Sequence, residues 1–111
     1  MTCRVVHALQ LPLEPTPLDP DQVVAGTPEV AAAAVSESPL EVGVWQHSVG
    51  ISSDIEADEV FVVLNGRATI EVVDGPTLEV GPGDIGILQR GAQTTWTVHE
   101  ALRKVYVLPP D

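Results

Sequence analysis

From Glu41 onward the chain consists of short apolar runs, rich in β-branched residues and separated by glycine, proline and asparagine turns. Runs of this kind, bounded by turn residues, are typical of β-strands. The predicted strands span residues 42–49, 60–64, 68–73, 78–80, 85–88, 94–98 and 102–108. In a chain of 111 residues, many short strands joined by such turns predict a single all-β domain, either a sandwich or a closed barrel.

The N-terminal part has a different composition. Helices and central strands are excluded where prolines stand close together, at Pro12, Pro15, Pro17 and Pro20. We predict an edge strand or arm over residues 3–11 and an extended connector after it, so that residues 1–25 form an arm and residues 26–111 the β domain. Thr27 precedes a proline and an acid, a helix-start pattern. Propensity therefore predicts a short helix over residues 30–35, and a strand is the alternative because six residues carry no periodicity.

The charge balance excludes several classes of partner. Acidic residues outnumber basic ones 16 to 5, which gives a net charge of −11. Such a chain repels phosphate backbones and anionic lipids, so we predict no nucleic-acid or membrane partner. No apolar run approaches the roughly 18 residues of a membrane span, and no signal peptide is visible, so we expect a cytoplasmic protein. The one cysteine, Cys3, cannot form an internal disulfide and is predicted to be an inert thiol.

The dipeptide Asn65-Gly66 predicts a two-residue β-hairpin between two apolar runs. In that hairpin one face carries a single acid among apolar side chains, with Glu59, Phe61 and Val63 opposite Val72, Ile70 and Ala68. The apolar character of this face predicts that it points toward the core. Glu59 would then be an inward carboxylate, which needs a partner, a metal or a raised pKa. The alternative is a solvated Glu59 at the mouth of the barrel.

The next turn predicts a register as well. A three-residue loop pairs Val72 with Leu78 and so places Leu78 and Val80 on the interior face. A two-residue loop would instead bury Thr77 and Glu79, which is costly for polar side chains.

Two segments resemble motifs of a known family. Residues 59–66 read EVFVVLNG, similar to the E(x)6G half of the first cupin motif, and residues 83–91 read GDIGILQRG, similar to part of the second. Over residues 26–108 the chain is similar to the small single-domain cupins related to the cupin domain of ureidoglycine aminohydrolase. The resemblance implies a cupin-type double-stranded β-helix, a jelly-roll barrel that is commonly a homodimer. It also implies that residues 30–35 form a strand.

The departures from the cupin pattern bear on function. Metal-binding cupins place an HxH motif three or four residues before the glutamate, where this chain has Ser52 and Asp54 or, with the shorter spacing, Ser53 and Ile55. The histidine of the second motif corresponds to Thr94. Of the expected ligands only Glu59 remains, and imidazole supplies most of the affinity of such sites for transition metals. We therefore predict no metal and no cofactor, which disfavours an iron or manganese dioxygenase.

His47 is the histidine best placed to act with Glu59. It follows Trp45 by two residues, so both share a face of a regular strand. If that face is interior, His47 can approach Glu59 and relay a proton. The pair could equally be half of an improvised metal site completed by Asp54 or Asp58. The alternative is a surface histidine, with Trp45 covering the barrel mouth.

Alternation brings further polar and aromatic groups toward the same interior. Thr94 and Trp96 share a face in one run, as do Lys104 and Tyr106 in another. We predict that these four residues and Trp45 line a ligand cavity. Lys104, the only lysine, would neutralise Glu59 or hold an anionic ligand, whereas the alternatives make Trp96 a core residue and leave Lys104 outside.

These observations lead to three functional hypotheses. The first is a small-molecule-binding cupin without a tightly held metal; if it is an enzyme, Glu59 with His47 would transfer protons in an isomerase, cyclase or hydrolase reaction. The second is a non-enzymatic, dimeric interaction protein whose cavity is filled by Trp45, Phe61 and Trp96. The third and least favoured is a metalloenzyme with a nonstandard site. An open cavity favours the first hypothesis over the second.

Overall fold

The computed structural model describes residues 3–110, so residues 1, 2 and 111 of the predicted arm and β domain lie outside it. The all-β prediction is confirmed, since the described residues contain strands and a single 3₁₀ turn, Pro20–Gln22. The strands are β1 (Glu14–Pro15), β2 (Val23–Ala25), β3 (Val30–Ser36), β4 (Glu41–His47), β5 (Gly50–Ile55), β6 (Glu59–Val72), β7 (Thr77–Val80), β8 (Ile85–Leu88) and β9 (Gln93–Leu108).

Two long strands organise the fold. β6 and β9 pair with each other in antiparallel fashion along most of their length. On its other edge β9 pairs first with β5 and then with β4, while β6 pairs first with β8 and then with β7. β3 and β1 extend the sheet beyond β4, and β2 extends it beyond β5. Each of the two long strands thus pairs with two short strands in succession along its outer edge, and the sheet curls into a jelly-roll β fold.

The alanine-rich segment is strand β3, so the helix predicted from propensity is wrong and the strand implied by the family resemblance is confirmed. Ala33 lies opposite Val44 in an antiparallel ladder, and Val30 is buried. A six-residue helix is marginal in water, whereas the edge of β4 offers this segment an antiparallel ladder of hydrogen bonds.

Residues 3–11 contain no strand, so the arm alternative applies to them. The arm is held by Arg103 of β9. Its guanidinium donates hydrogen bonds to the carbonyl oxygens of Ala8, at 3.0 Å, and Leu11, at 2.6 Å.

The hairpin predicted at Asn65-Gly66 is wrong, because β6 continues through these residues as one strand. Its pairing with β9 shifts register here, between Val63 and Ala68. Gly66 has φ +88°, and a Cβ at this position would overlap the carbonyl oxygen of Ala101 on β9. The dipeptide therefore marks an irregular bend in a long strand, where glycine allows two backbones to approach closely.

The residues predicted to face the interior are buried, although the hairpin prediction is wrong. Phe61 and Val63 before the bend and Ala68 and Ile70 after it are all buried. The irregularity shifts the alternation of side chains by one position, as the predicted two-residue loop would have done. The apolar pattern therefore identified the interior residues although the connection between them was wrong.

The predicted register of the next turn is also wrong, by two residues. Leu78 lies opposite Ile70 rather than Val72, and Val80 lies opposite Ala68. Since side chains alternate with a period of two, this offset leaves Leu78 and Val80 on the interior face as predicted.

Two further features of the strands differ from the predictions: two predicted strands are one, and one strand was not predicted. The runs at residues 94–98 and 102–108 are one strand, β9. β5 was not predicted, because its Ser-Ser-Asp sequence has low β propensity, yet it is held between β9 and β2.

The core fills the curl of the sheet between β6 and β9. Its buried residues are Phe61, Val63, Ala68, Ile70, Val80, Leu88, Trp96, Val98 and Leu102. Among the described residues, no helix is long and apolar enough to cross a membrane.

Candidate functional site

A cavity of about 270 Å³ opens beside the core, between strands β4, β5, β6 and β9. Leu18 and Gln22, which precede β2, also line it. The ionisable and aromatic side chains that line it are Glu41, Asp54, Glu56, Glu59, Lys104, Trp45, Trp96 and Tyr106. The interior face of the barrel is thus apolar at depth and strongly polar at this opening.

Glu59 and Lys104 form an ion pair in this cavity. Glu59 begins β6 and Lys104 lies on the neighbouring part of β9, opposite Val63. The Lys104 Nζ donates to Glu59 Oε2 at 2.7 Å, and the two side chains are only 6% and 15% exposed. Charge-assisted hydrogen bonds of this length are among the stronger polar contacts in proteins.

Three aromatic rings surround the Lys104 ammonium. Its Nζ lies 4.4 Å from the ring centroid of Trp45, 4.6 Å from that of Phe61 and 4.7 Å from that of Trp96. The negative faces of aromatic rings attract a cation within about 6 Å. The rings and Glu59 together therefore compensate the desolvation of the buried ammonium.

Glu56 is a second buried carboxylate of the site, with 8% of its surface exposed. Its Oε2 accepts hydrogen bonds from Thr94 Oγ1 at 2.6 Å and from Trp96 Nε1 at 3.0 Å. Glu56 lies between β5 and β6, where its backbone N–H donates to the carbonyl of Ala92 and its carbonyl accepts from the N–H of Gly91. The side-chain bonds hold the Glu56 carboxylate against the first residues of β9, and the backbone bonds hold the loop that carries it.

Glu56 is not among the site residues predicted from the sequence. The available signal was alternation, since Ser52, Asp54 and Glu56 follow one another at a spacing of two, and residues so spaced share a face of an extended chain. Comparison with the cupin motif drew attention to Ser52 and Asp54 as replacements for histidines, and the motif has no ligand at the position of Glu56.

His47 is fully buried and does not pair with Glu59. Its Nδ1 lies 2.6 Å from the carbonyl oxygen of Ser48 and therefore carries the proton. Its Nε2 lies 2.8 Å from Ser52 Oγ and accepts a hydrogen bond from that hydroxyl when the ring is neutral. Burial lowers the pKa of His47, the Ser48 carbonyl opposes this shift, and the Lys104 charge adds to it. The imidazole thus lies behind the cavity lining, where it contacts the Ser52 hydroxyl and the ring of Trp45.

Two other ionisable groups of the cavity have shifted pKa values. Asp54 lies at the rim, where desolvation by surrounding protein raises the pKa of its carboxyl and the charge of Glu56 raises it further. Desolvation also raises the pKa of the Tyr106 phenol, with additional contributions from Glu41 and Glu59. In both cases desolvation is the main cause, and neighbouring carboxylates add to the shift.

The structure brings most of the predicted site residues together. Glu59, Trp45, Trp96, Lys104 and Tyr106 line the cavity. The other two predicted residues, His47 and Thr94, contact its lining through Ser52 and Glu56 respectively. Their roles in binding or catalysis stay predictions.

A metal of the cupin type does not fit these residues. The Ser52 hydroxyl is bonded to His47 and the Thr94 hydroxyl to Glu56, while Ile55 points outward. The cation next to Glu59 is the Lys104 ammonium. In residues 3–110 no group of three or more His, Cys, Asp or Glu side chains is placed to hold a metal ion.

The family follows from a match that covers most of the chain. The family model described as the EutQ-like cupin domain matches residues 36–106. This chain belongs to the EutQ-like cupin family. The prediction of a small cupin is confirmed, although the matching model is the EutQ-like one and gives no support to the specific relation to ureidoglycine aminohydrolase.

No significant match is found among curated proteins. Similarity to solved structures supports the cupin fold. A Rhizobium leguminosarum protein of unknown function is 29% identical, with a TM-score of 0.66 over 74% of this chain and 82% of that one. The EutQ protein of Clostridium difficile is 23% identical, with a TM-score of 0.67 over 81% and 76%. The polyketide cyclase RemF of Streptomyces resistomycificus is 20% identical, with a TM-score of 0.69 over 99% and 81%. At the identities of the last two, the likeness concerns the fold alone.

Proposed function

We propose that this EutQ-like cupin binds a small organic molecule in the cavity beside Glu59 and Lys104. The observation that carries the proposal is a cavity of about 270 Å³ with a buried ion pair in its wall. Concave sites that combine aromatic walls with a few fixed polar groups are typical ligand sites. The aromatic residues expected to fill the cavity in the interaction-protein hypothesis surround Lys104 and leave this space open.

The chemistry that suits this site is proton transfer. The Glu59 side chain, which contacts Lys104 in the cavity wall, is the candidate acceptor of a proton from a bound molecule. Lys104 then supplies a fixed positive charge next to the negative charge that develops on that molecule. An isomerase, cyclase or hydrolase reaction would use such a step, and the Ser52–His47 contact offers a second route for a proton.

A fragment screen followed by protein NMR tests ligand binding. The chain has two tryptophans, Trp45 and Trp96, and both line the cavity, so their two indole N–H signals report on it directly. We expect fragments that shift these signals saturably and that bind more weakly to the Glu59→Gln variant. A screen whose hits all leave both indole signals unchanged would contradict the proposal.

Deuterium exchange tests the proton-transfer step. A bound fragment that contains an acidic C–H bond is incubated with the protein in D₂O, and deuterium incorporation is followed by mass spectrometry. We expect the protein to accelerate exchange and Glu59→Gln to abolish the acceleration while the fold persists. The matched control is Glu71→Gln, which removes an exposed carboxylate of the same strand. Equal exchange in the wild type and the Glu59 variant would refute the role of Glu59.

A second candidate role, self-association, rests on a different surface. Val60 and Val62 of β6 lie opposite Ile87 and Ile85 of β8, and all four side chains are exposed. We propose that a second copy of this chain covers this apolar stripe. Two copies with a net charge of −11 repel each other over most of their surface, so an uncharged stripe is the region where they can approach at least cost.

Native mass spectrometry and light scattering test the homodimer. We expect a dimer for the wild-type protein and a monomer for Ile87→Asp. Val49→Asp is the matched control, because it adds the same charge at another exposed apolar residue. A wild-type monomer, or an Ile87→Asp dimer of unchanged affinity, would contradict this interface.

A further inference from the structure

Resting on the proposed function of this cavity, we infer that its ligand is a small organic ammonium ion whose charged group is bound by Glu56 and Asp54. The inference goes beyond the presence of a site, because it specifies the charge and chemical class of the molecule. It depends on the charges of the lining, on one oxygen of Glu56 and on the dimensions of the cavity.

The lining carries far more negative than positive charge. Four carboxylates face the cavity, those of Glu41, Asp54, Glu56 and Glu59, against one ammonium, that of Lys104. That ammonium is already paired with Glu59 at 2.7 Å. A cationic ligand would relieve the remaining repulsion between carboxylates, whereas an anionic ligand would increase it. The raised pKa of Asp54, caused by desolvation and then by Glu56, is consistent with such repulsion.

Glu56 offers an unused acceptor to the cavity. Its Oε2 receives both hydrogen bonds, from Thr94 and Trp96, and its Oε1 has no partner among the described residues. In the same part of the chain, every fully buried side-chain oxygen and nitrogen atom has a partner. The Oε1 of this nine-tenths buried residue is therefore open to the cavity, where an N–H donor of a ligand can reach it.

The walls and volume of the cavity suit an organic cation. Trp45, Trp96 and Tyr106 supply aromatic surface that can pack against the carbon atoms of a small organic cation, although Trp45 and Trp96 already contact the Lys104 ammonium. A cavity of about 270 Å³ lies just below the range of roughly 300–1,000 Å³ typical of drug-sized ligands, so the molecule should be small. The carboxylates are distributed around this space, and none of the described ones converge in threes as metal ligands do.

The test compares three probes of similar size and different charge. Propylammonium chloride, 1-propanol and sodium propionate are titrated separately into ¹⁵N-labelled protein at constant ionic strength. The indole N–H signals of Trp45 and Trp96 are the readout. We expect saturable shifts with propylammonium and an affinity at least about tenfold lower for the other two probes, the factor that one charge-assisted hydrogen bond typically supplies. Calcium chloride serves as a fourth probe for a bare metal ion.

Two variants test the assigned carboxylates. Glu56→Gln should weaken propylammonium binding about tenfold while its amide oxygen still accepts from Thr94 and Trp96. Asp54→Asn, at the rim, should weaken it as well and provides an answer if the Glu56 variant does not fold. Glu71→Gln lowers the net negative charge by the same amount on an exposed strand position and should bind like the wild type.

The outcomes separate this inference from the proposed function. Binding of propanol or propionate as tight as that of propylammonium, preferential binding of calcium, or unchanged binding in folded Glu56 and Asp54 variants would overturn the ammonium assignment. In the first case the cavity would still be a ligand site. If neither these probes nor any fragment shifts the indole signals, both the assignment and the proposed function fail.

Discussion

Lys104 and Glu59 lie 45 residues apart in the chain, and their side chains meet at 2.7 Å in the cavity wall. Each comes from one of the two long strands, β9 and β6, whose pairing organises the sheet. The contact therefore joins the fold to the candidate site: if the register of β6 against β9 changed, the ion pair would be lost.

Removing one member of this pair should cost stability. Lys104→Met leaves Glu59 as a mostly buried carboxylate without its partner, and we expect the free energy of unfolding to fall by about 3 kcal/mol in urea denaturation. Replacing both residues, as Glu59→Leu with Lys104→Met, should recover most of this loss, because no unpaired charge remains.

The exposed pair Arg67–Glu100 is the control for that measurement. Its atoms are 3.3 Å apart, and its side chains are 59% and 62% exposed. Arg67→Met should therefore cost less than about 1 kcal/mol. Similar losses for Lys104→Met and Arg67→Met would show that burial of the cavity pair has no energetic consequence.

Tyr106 should ionise above its ordinary pKa of 10.0, because burial and then the charges of Glu41 and Glu59 disfavour phenolate. It is the only tyrosine, so the ultraviolet absorbance of tyrosinate reports on it alone. Since the folded-state pKa is raised, the unfolded chain loses this proton first, and stability should decline as the pH rises above 10. Glu41→Gln should move the pKa back toward 10, and a native phenol that titrates at or below 10 would contradict the prediction.

His47 should make stability sensitive to mild acid. Its folded-state pKa lies below the ordinary value of 6.5, because burial disfavours imidazolium. Above pH 6.5 the ring is neutral in both states, and as the pH falls below 6.5 the unfolded chain takes up a proton that the folded chain does not, so stability falls.

Thermal unfolding between pH 7.5 and 5.5 measures this effect, with variants compared by slope and not by absolute stability. His47→Gln should show a shallower pH dependence than the wild type. His7→Gln, which removes an exposed histidine, should leave the slope unchanged. Parallel curves for the wild type and His47→Gln would exclude His47 as the source.

Gly66 should be intolerant of a side chain for two separate reasons. Its φ of +88° is strained for any residue with a Cβ, and that Cβ would overlap the Ala101 carbonyl oxygen, a backbone atom that cannot rotate away. Gly83 has a similar φ of +86°, but a Cβ there would meet no other atom within 4 Å. Chemical denaturation should show a loss of about 1 kcal/mol for Gly83→Ala, from strain alone, and a clearly larger loss for Gly66→Ala. Equal losses would mean that the close approach of β6 and β9 is not required.

Much of the fold was predictable from local patterns. The all-β class and the interior positions of Phe61 and Ile70 follow from the alternation of apolar residues. The bend at Asn65-Gly66 shifts this alternation by one position, as a hairpin loop would, so both residues still face inward. Propensity failed for residues 30–35 because the edge of β4 supplies hydrogen bonds that the isolated segment lacks. The hairpin prediction failed because Asn65-Gly66 also suits a crowded bend between paired strands.

The candidate site was predictable in part. Alternation made one shared cavity for Glu59, Trp45 and Lys104 a hypothesis, but positions outside it stayed open for Glu59 and Lys104. Glu56 was missed although it follows Ser52 and Asp54 at a spacing of two, because the strand that precedes it was not predicted. Its hydrogen-bond partners Thr94 and Trp96 lie 38 and 40 residues away.

The amino-acid sequence by itself determined which apolar residues of β6 face inward, because the period of a β-strand is two and these residues repeat with it. It also determined that the cupin histidines are replaced at the ligand positions. Only the tertiary structure decided the partners of the inward polar groups, Lys104 for Glu59 and Ser52 for His47. Each pairing depends on how the curled sheet brings different strands together, and hydrophobic periodicity carries no information about those distances.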